Sequence, residues 1–232
     1  MIPKHIAVIP DGNRRWAKSH ILSGLEGHTK GYEIFKNIKD EAFNRGVEYF
    51  SFWAMSEDNI KKRDSAEVSY LFKLLSDGLD ELVADKRIQA GEASFSCIGN
   101  FRALFPKELV EKIDNIEGKF RKPDARFHLQ LMLAYNGGSE MREAVKAIAR
   151  EGVEADSITD ETIRSHLWSR ELPPVDLVIR SGGEPHLSAG FMMWLTQNSQ
   201  LYFTQTLWPD FSSEEFSKAL AEYEARERRY GK

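Results

Sequence analysis

The sequence predicts an α/β fold: a single domain over residues 1–232, with a mostly parallel sheet flanked by helices. Three observations predict it. Short β-branched and aromatic runs alternate with longer stretches of helical period from end to end. The first of those runs, Ile6–Ile9, is apolar throughout, as a buried strand is, while His128–Ala134 alternates loosely. Finally, the short runs lead into turns rich in Gly, Asn, Asp and Ser that open the next helix, with no linker or low-complexity segment between units.

Taken in order, Ile6–Ile9 is the first strand. Pro10-Asp11-Gly12-Asn13 stops it, and Arg14–Lys18 reads as a first helical turn. Ile34, Ile38, Ala42 and Phe43 share one helical face that follows Gly27-His28, and Gly46 closes that helix. Val47–Ala54 is a second strand, and Ser56-Glu57-Asp58-Asn59 a polar turn. From Ala66 to about Lys86, Val68, Leu71, Phe72, Leu75, Leu79 and Leu82 recur at helical spacing. Phe95–Gly99 is a third strand, Pro106–Phe120 a helix and His128–Ala134 a fourth strand. A turn at Tyr135–Ser139 opens a helix continuing through Glu140–Arg150, and Thr159–Trp168 is a short helix. Val175–Arg180 is a fifth strand, Leu201–Phe203 a last short one, and Ser212–Arg229 a closing helix.

Composition excludes several functions. Apolar residues are 41% of the chain, enough for a core, and the net charge of −4 argues against a general nucleic-acid grip. The single cysteine, Cys97, rules out an intramolecular disulfide and a thiolate zinc cluster. It sits in an apolar run, so a buried, inert thiol is expected. No run approaches the length of a membrane span. A strand begins almost at once, leaving no room for a signal peptide, and the expectation is a cytoplasmic protein.

The chemistry concentrates at the first strand's end. A strand that turns into a helix there aims backbone N–H groups at an anion. The same place carries a carboxylate, Asp11, an amide, Asn13, and two guanidiniums, Arg14 and Arg15. That set suits a phosphate arriving with a metal ion: Asp11 for magnesium, the arginines for the oxygens. The competing reading is a capped helix with a surface salt bridge. In parallel sheets, ligands bind at the carboxyl ends of strands. The turns after the first, second, fourth and fifth strands thus bring Asp11, Asn13, Arg14, Arg15, Ser56, Asn59, Asn136, Arg180 and Ser188 toward one cleft. Phe52, Trp53 and Met55 at a strand end suit an apolar tail or plain core packing. Trp16, Trp168, Trp194 and Trp208 read as core.

Five motifs, H-I-A-V-I-P-D-G-N-R-R-W-A at 5–17, G-H-T-K-G at 27–31, Y-N-G-G at 135–138, D-L-V-I-R-S-G-G-E at 176–184 and L-W-P-D-F at 207–211, resemble the cis-prenyltransferases, the undecaprenyl diphosphate synthase family. The resemblance spans nearly the whole chain. It implies a homodimer, a six-stranded sheet, a hydrophobic tunnel, and magnesium-dependent condensation of allylic and homoallylic prenyl diphosphates. Asp11 matches the family's metal-linked aspartate. Gly12, Asn13, Arg14 and Arg15, followed by Trp16 in the same motif, match its allylic diphosphate loop, and His28 a histidine on the same diphosphate. Ser56 and Asn59 match polar residues between the two substrate sites; with Asp11 and Asn13 they form the catalytic candidates. Arg180 and Ser188 match ligands of the second diphosphate. Arg229-Tyr230-Gly231 resembles the closing R-x-G that reaches the partner subunit, which places Gly231 among the binding candidates.

The departures from the family pattern cluster. Gly24 stands where an arginine is usual, and Asn59-Ile60-Lys61-Lys62-Arg63-Asp64 replaces asparagine-tryptophan followed by arginine-proline, leaving Lys62 or Arg63 to serve for that arginine. His186 replaces a second arginine, an asparagine after Ser188 is gone, and Gln200 replaces a glutamate that binds metal, although an amide is the weaker magnesium ligand. Most of these changes fall on the second diphosphate's site. The expectation is therefore an irregular, head-to-middle enzyme of lavandulyl diphosphate synthase type. Its acceptor is dimethylallyl diphosphate and its donor geranyl or dimethylallyl diphosphate. The alternatives are a head-to-tail short-chain synthase using isopentenyl diphosphate and a non-catalytic partner subunit.

Overall fold

The structure is a computed structural model, and it describes residues 1–226. Its six strands are β1 (His5–Ile9), β2 (Tyr49–Trp53), β3 (Ala93–Ile98), β4 (Phe127–Met132), β5 (Leu177–Arg180) and β6 (Gln200–Phe203). They form one sheet in the order β3-β4-β2-β1-β5-β6. Every pairing is parallel, so the sheet is wholly rather than mostly parallel. The carboxyl ends of all strands therefore share one edge.

Alternate residues of the strands feed two cores. On one face, Ile6, Val8, Phe50, Phe52, Leu129 and Leu131 pack with the buried stripes of α2 (Gly24–Asn44), α4 (Ser65–Val83), α7 (Lys107–Phe120) and α10 (Ser213–Ala225). On the other, Ala7, Ile9, Trp53, Met132 and Val178 meet Leu172, Val175, Phe191, Met192 and Leu195 from irregular chain. β1 and β5 are buried on both faces, which is why their runs are nearly all apolar, whereas β3 and β4 alternate Ser94, Ser96, His128 and Gln130 with apolar residues.

Helices α1 (Asn13–Ser19), α8 (Gly137–Arg150) and α9 (Asp160–His166) fall where the sequence puts them. Three short helices do not follow from periodicity: α3 (Glu57–Lys62), α5 (Lys86–Ala90) and α6 (Phe101–Leu104). They are too short to show an apolar period. The expected polar turn at 56–59 is the start of α3, where Ser56 and Asn59 cap each other reciprocally: each side-chain oxygen accepts from the other's backbone N–H. The expected closing helix ends at Ala225; positions 227–232, including Arg229, Tyr230 and Gly231, lie outside the described residues.

Candidate active site

Asp11 sits two residues past the end of β1, after Pro10. Its Oδ2 accepts from Arg180 Nη2 at 2.9 Å and its Oδ1 from Arg15 Nη2 at 3.0 Å. The backbone around it is clamped: Ser181 Oγ accepts from Asp11 N and donates to Asp11 O, both at 2.9 Å, and Trp208 N donates to the same carbonyl. Gly12 is the N-cap of α1, and no side chain caps that helix. The capped-helix reading of Asp11 and Asn13 is thus wrong, although the i,i+4 ion pair it assumed, Asp11–Arg15, is present.

Arg180 ends β5 and is buried. Its Nη1 donates to His186 O at 2.5 Å and to Ser188 Oγ at 2.7 Å. Its Nε–H has no partner among the described residues. An unmet buried guanidinium donor is costly unless an anion meets it. Asp11, Ser56, Asn59, Arg63, Arg180, His186 and Ser188 line one open cavity of about 570 Å³ at the sheet's carboxyl edge. His186 is itself exposed, beside Glu184 at 3.6 Å.

A second cluster stands between α2 and α4. His28 is buried, and its Nε2 lies 2.9 Å from Glu67 Oε1. Arg63 Nη1 donates to the same oxygen at 2.9 Å, and Arg14 approaches Oε2 at 3.9 Å. Burial pulls the imidazole's pKa below its ordinary value, against the hydrogen bond to Glu67, which raises it. Burial likewise lowers Arg63, with the Glu67 charge opposing. The structure settles which cation is inside: Arg63 is largely buried, whereas Lys62 is exposed and paired with Asp58 at 3.1 Å.

Below this cluster runs the apolar tunnel that the resemblance implies, a cavity of about 160 Å³. Asn13, His28, Asn59 and Arg63 stand at its polar end. Phe52, Trp53, Met55, Leu129 and Leu131 form the sheet wall, Phe35 and Leu71–Leu82 positions of α4 the helical wall, and Trp208 a side. Gly27 and Gly31 let α2 reach the polar end, since a Cβ would meet Asn13 O at 2.3 Å from the first and Asn13 Oδ1 at 2.4 Å from the second.

Three sequence expectations fail on position. Trp16, like Gly12, Arg14 and Arg15 of the same loop, lines neither cavity; its Nε1 donates to Asp210 and its ring stacks on His20. Asn136 is spent as the N-cap of α8. Gln200 opens β6 level with Leu177, three residues before the register of Arg180, so within one chain it lies about 10 Å down the sheet from Asp11's edge. Two residues were missed. Glu67 looks like a helix-start acid, since Asp64 caps its N–H. Trp208 looks like core, and it is both fully buried and a tunnel wall. Cys97 is buried with its thiol pushed up by burial, as expected.

Among the described residues no three His, Cys, Asp or Glu side chains gather to hold a metal. Magnesium bound with substrate phosphates and water asks for only one or two carboxylates. Asp11, a hard oxygen ligand beside two phosphate-competent arginines, fits that demand.

An apolar tunnel headed by Arg63, His28 and Asn59, beside an open cavity lined by Asp11 and Arg180 at a parallel sheet's carboxyl edge, suits a hydrocarbon chain with an anionic head. Comparison with known proteins agrees. The family model described as putative undecaprenyl diphosphate synthase matches residues 9–231. An isoprenyl transferase of Thermotoga maritima is 34% identical over 99% of this chain and 97% of its own length. A geranylgeranyl-diphosphate-specific tritrans,polycis-undecaprenyl-diphosphate synthase of Thermoplasma volcanium is 33% identical over 99% of this chain and 89% of its own. Among solved structures, lavandulyl diphosphate synthase from Lavandula x intermedia, in complex with dimethylallyl diphosphate, superposes with a TM-score of 0.91 at 34% identity, covering 100% of this chain and 99% of that one. A probable undecaprenyl diphosphate synthase from Campylobacter jejuni gives 0.79 at 26%, covering 99% of each. The chain belongs to the undecaprenyl diphosphate synthase family, the cis-prenyltransferases, and is a prenyltransferase. No helix among the described residues is long and apolar enough to cross a membrane.

Proposed function

We propose that this protein joins two allylic diphosphates head to middle. Dimethylallyl diphosphate is the acceptor, geranyl or dimethylallyl diphosphate the donor, and a branched lavandulyl-type diphosphate the product. The observation that carries this reading is the altered wall of the open cavity. His186 stands where the family has arginine, and Arg180 spends Nη1 on His186 O and Ser188. A changed grip on the acceptor's diphosphate changes which alkene carbon faces the donor. The likeness to lavandulyl diphosphate synthase supports the same choice.

In the reaction, the donor's allylic C–O bond breaks and diphosphate leaves with the electron pair. The acceptor alkene's π electrons then form the new C–C bond to the donor carbon. Attack through the middle carbon of dimethylallyl diphosphate leaves a tertiary cation, which sheds a proton to restore an alkene. Arg14, Arg63 and His28 hold the donor diphosphate at the tunnel's polar end; Arg180, Ser188 and His186 hold the acceptor's. Ser56 and Asn59 lie between, and Asn13 borders the donor. Each charged hydrogen bond to a diphosphate contributes about 1.5–3 kcal/mol. Trp53 and Phe52 give the cationic stage a dry aromatic wall. His186 or a diphosphate oxygen takes the final proton. Magnesium, held by Asp11, would neutralise charge growing on the departing oxygens. One catalytic domain carries this out in a cytoplasmic homodimer.

The second reading is a head-to-tail short-chain synthase using isopentenyl diphosphate; the names of the archaeal and bacterial relatives, an undecaprenyl-diphosphate synthase and an isoprenyl transferase, favour ordinary prenyl-chain synthesis over a branched product. Incubation with dimethylallyl and geranyl diphosphates, with and without isopentenyl diphosphate, separates the two, with products identified by mass spectrometry and NMR after dephosphorylation. A branched product formed without isopentenyl diphosphate is expected. Strict dependence on isopentenyl diphosphate overturns the proposal.

A further inference from the structure

The geometry points to Tyr32 as the residue that fixes the donor's length, and to a single isoprenyl unit, dimethylallyl diphosphate, as the donor it admits. This rests on the reading of the tunnel as the donor's site and chooses between the two donors left open there. Tyr32 lies on α2 one helical turn past His28, about 6 Å farther from the diphosphate end along the helix, and its ring lines the tunnel. The ring tip occupies the notch that Gly78 leaves in α4: a Cβ at Gly78 would stand 2.9 Å from Tyr32 Cε2 and 3.0 Å from its Oη.

The ring is held there from both sides. Its hydroxyl donates to Glu81 Oε2 at 3.1 Å, and Lys36 Nζ binds the same oxygen at 2.9 Å. Lys36 also lies over the ring, 4.8 Å from its centroid, while Phe35 stacks against it. Swinging the ring out of the tunnel would therefore break the tyrosine–glutamate bond and the cation–ring contact together. With the ring in place the tunnel measures about 160 Å³. An apolar protein cavity of about 150 Å³ takes up benzene, a group close to one isoprenyl unit in size. A geranyl tail carries a second such unit, and close-packed surroundings give it no room. Removing the ring frees a volume of about that second unit.

The test measures binding apart from turnover. Unreactive thiolodiphosphate analogues of dimethylallyl, geranyl and farnesyl diphosphate are titrated into the full-length protein with magnesium by calorimetry. Wild type is expected to bind the dimethylallyl analogue at least about tenfold more tightly than the geranyl one. In Tyr32→Ala that preference disappears or inverts. Tyr32→Phe keeps the ring and so keeps most of it, and Gly78→Ala, which pushes on the ring, weakens all three. Thermal melts show which variants are folded; Tyr32→Phe and Gly78→Ala report if the alanine variant is not. Equal binding of all three analogues by wild type overturns the assignment, as does an unchanged preference in folded Tyr32→Ala. Binding of none of them overturns the donor-site reading itself.

Discussion

Asp11 ties the buried Arg180 of the open cavity to Arg15 in the first turn of α1, because each of its oxygens holds a different arginine. Asp11→Asn keeps the shape but removes the charge, so turnover is expected to fall at least about 100-fold; steady-state kinetics across a magnesium titration checks this. Glu67 plays the matching part between α2 and α4, as the shared acceptor of His28 and Arg63. Glu67→Gln keeps one acceptor oxygen but leaves Arg63 and Arg14 repelling each other. A loss of about 100-fold in kcat/KM for the donor is expected. A folded variant with wild-type kinetics would show the carboxylate to be structural only. Asp11 was legible because a strand, a turn and two arginines surround it in sequence. Glu67 was not, since its partners come from positions 28 and 63 and only tertiary packing joins them.

Among the elements, α1, α2 and the short turn of 3₁₀ helix at Trp208–Asp210 form the joint that sets the tunnel's polar end. Trp208 is fully buried and donates from Nε1 to Gly31 O at 2.8 Å. Trp208→Ala is expected to cost about 3–5 kcal/mol, and Trp208→Phe, which strands the Gly31 carbonyl, about 1–3 kcal/mol; urea unfolding measures both. Legibility at this scale follows length. The long helices α2, α4 and α7 declare themselves because an apolar stripe repeats over several turns. By contrast, α3 has one turn and a half, and only its Ser56–Asn59 cap marks it. That same cap is why those two residues looked like a loop: residues that start helices are residues that make turns.

For the whole molecule, the sheet carries a titration. His5, at the foot of β1, is fully buried between Pro173 O and Ser51 Oγ, and burial lowers its pKa to about 4 from 6.5. Between those values the unfolded chain binds a proton that the folded chain refuses, so stability falls as pH drops from 6.5 toward 4. The loss from His5 reaches about 3 kcal/mol at the acid end, and burial shifts His28 and His128 in the same direction. Melting temperature is expected to fall steeply between pH 6.5 and 4, and less so in His5→Gln. The fold as a whole was legible because alternation of strands and helices leaves few topologies, and parallel order then gathers the strand ends on one edge. The depth of the tunnel was not, because it depends on how Tyr32 meets Gly78 across two helices. Nor was the distance of Gln200, which depends on the register of β6. The carboxylate shared by Arg15 and Arg180 has a kinetic consequence: a diphosphate that docks against Arg180 draws it off Asp11 and alters the charge beside the other substrate. Donor and acceptor should therefore bind in a preferred order, and a dead-end analogue of one should inhibit uncompetitively or in mixed fashion, not competitively, against the other.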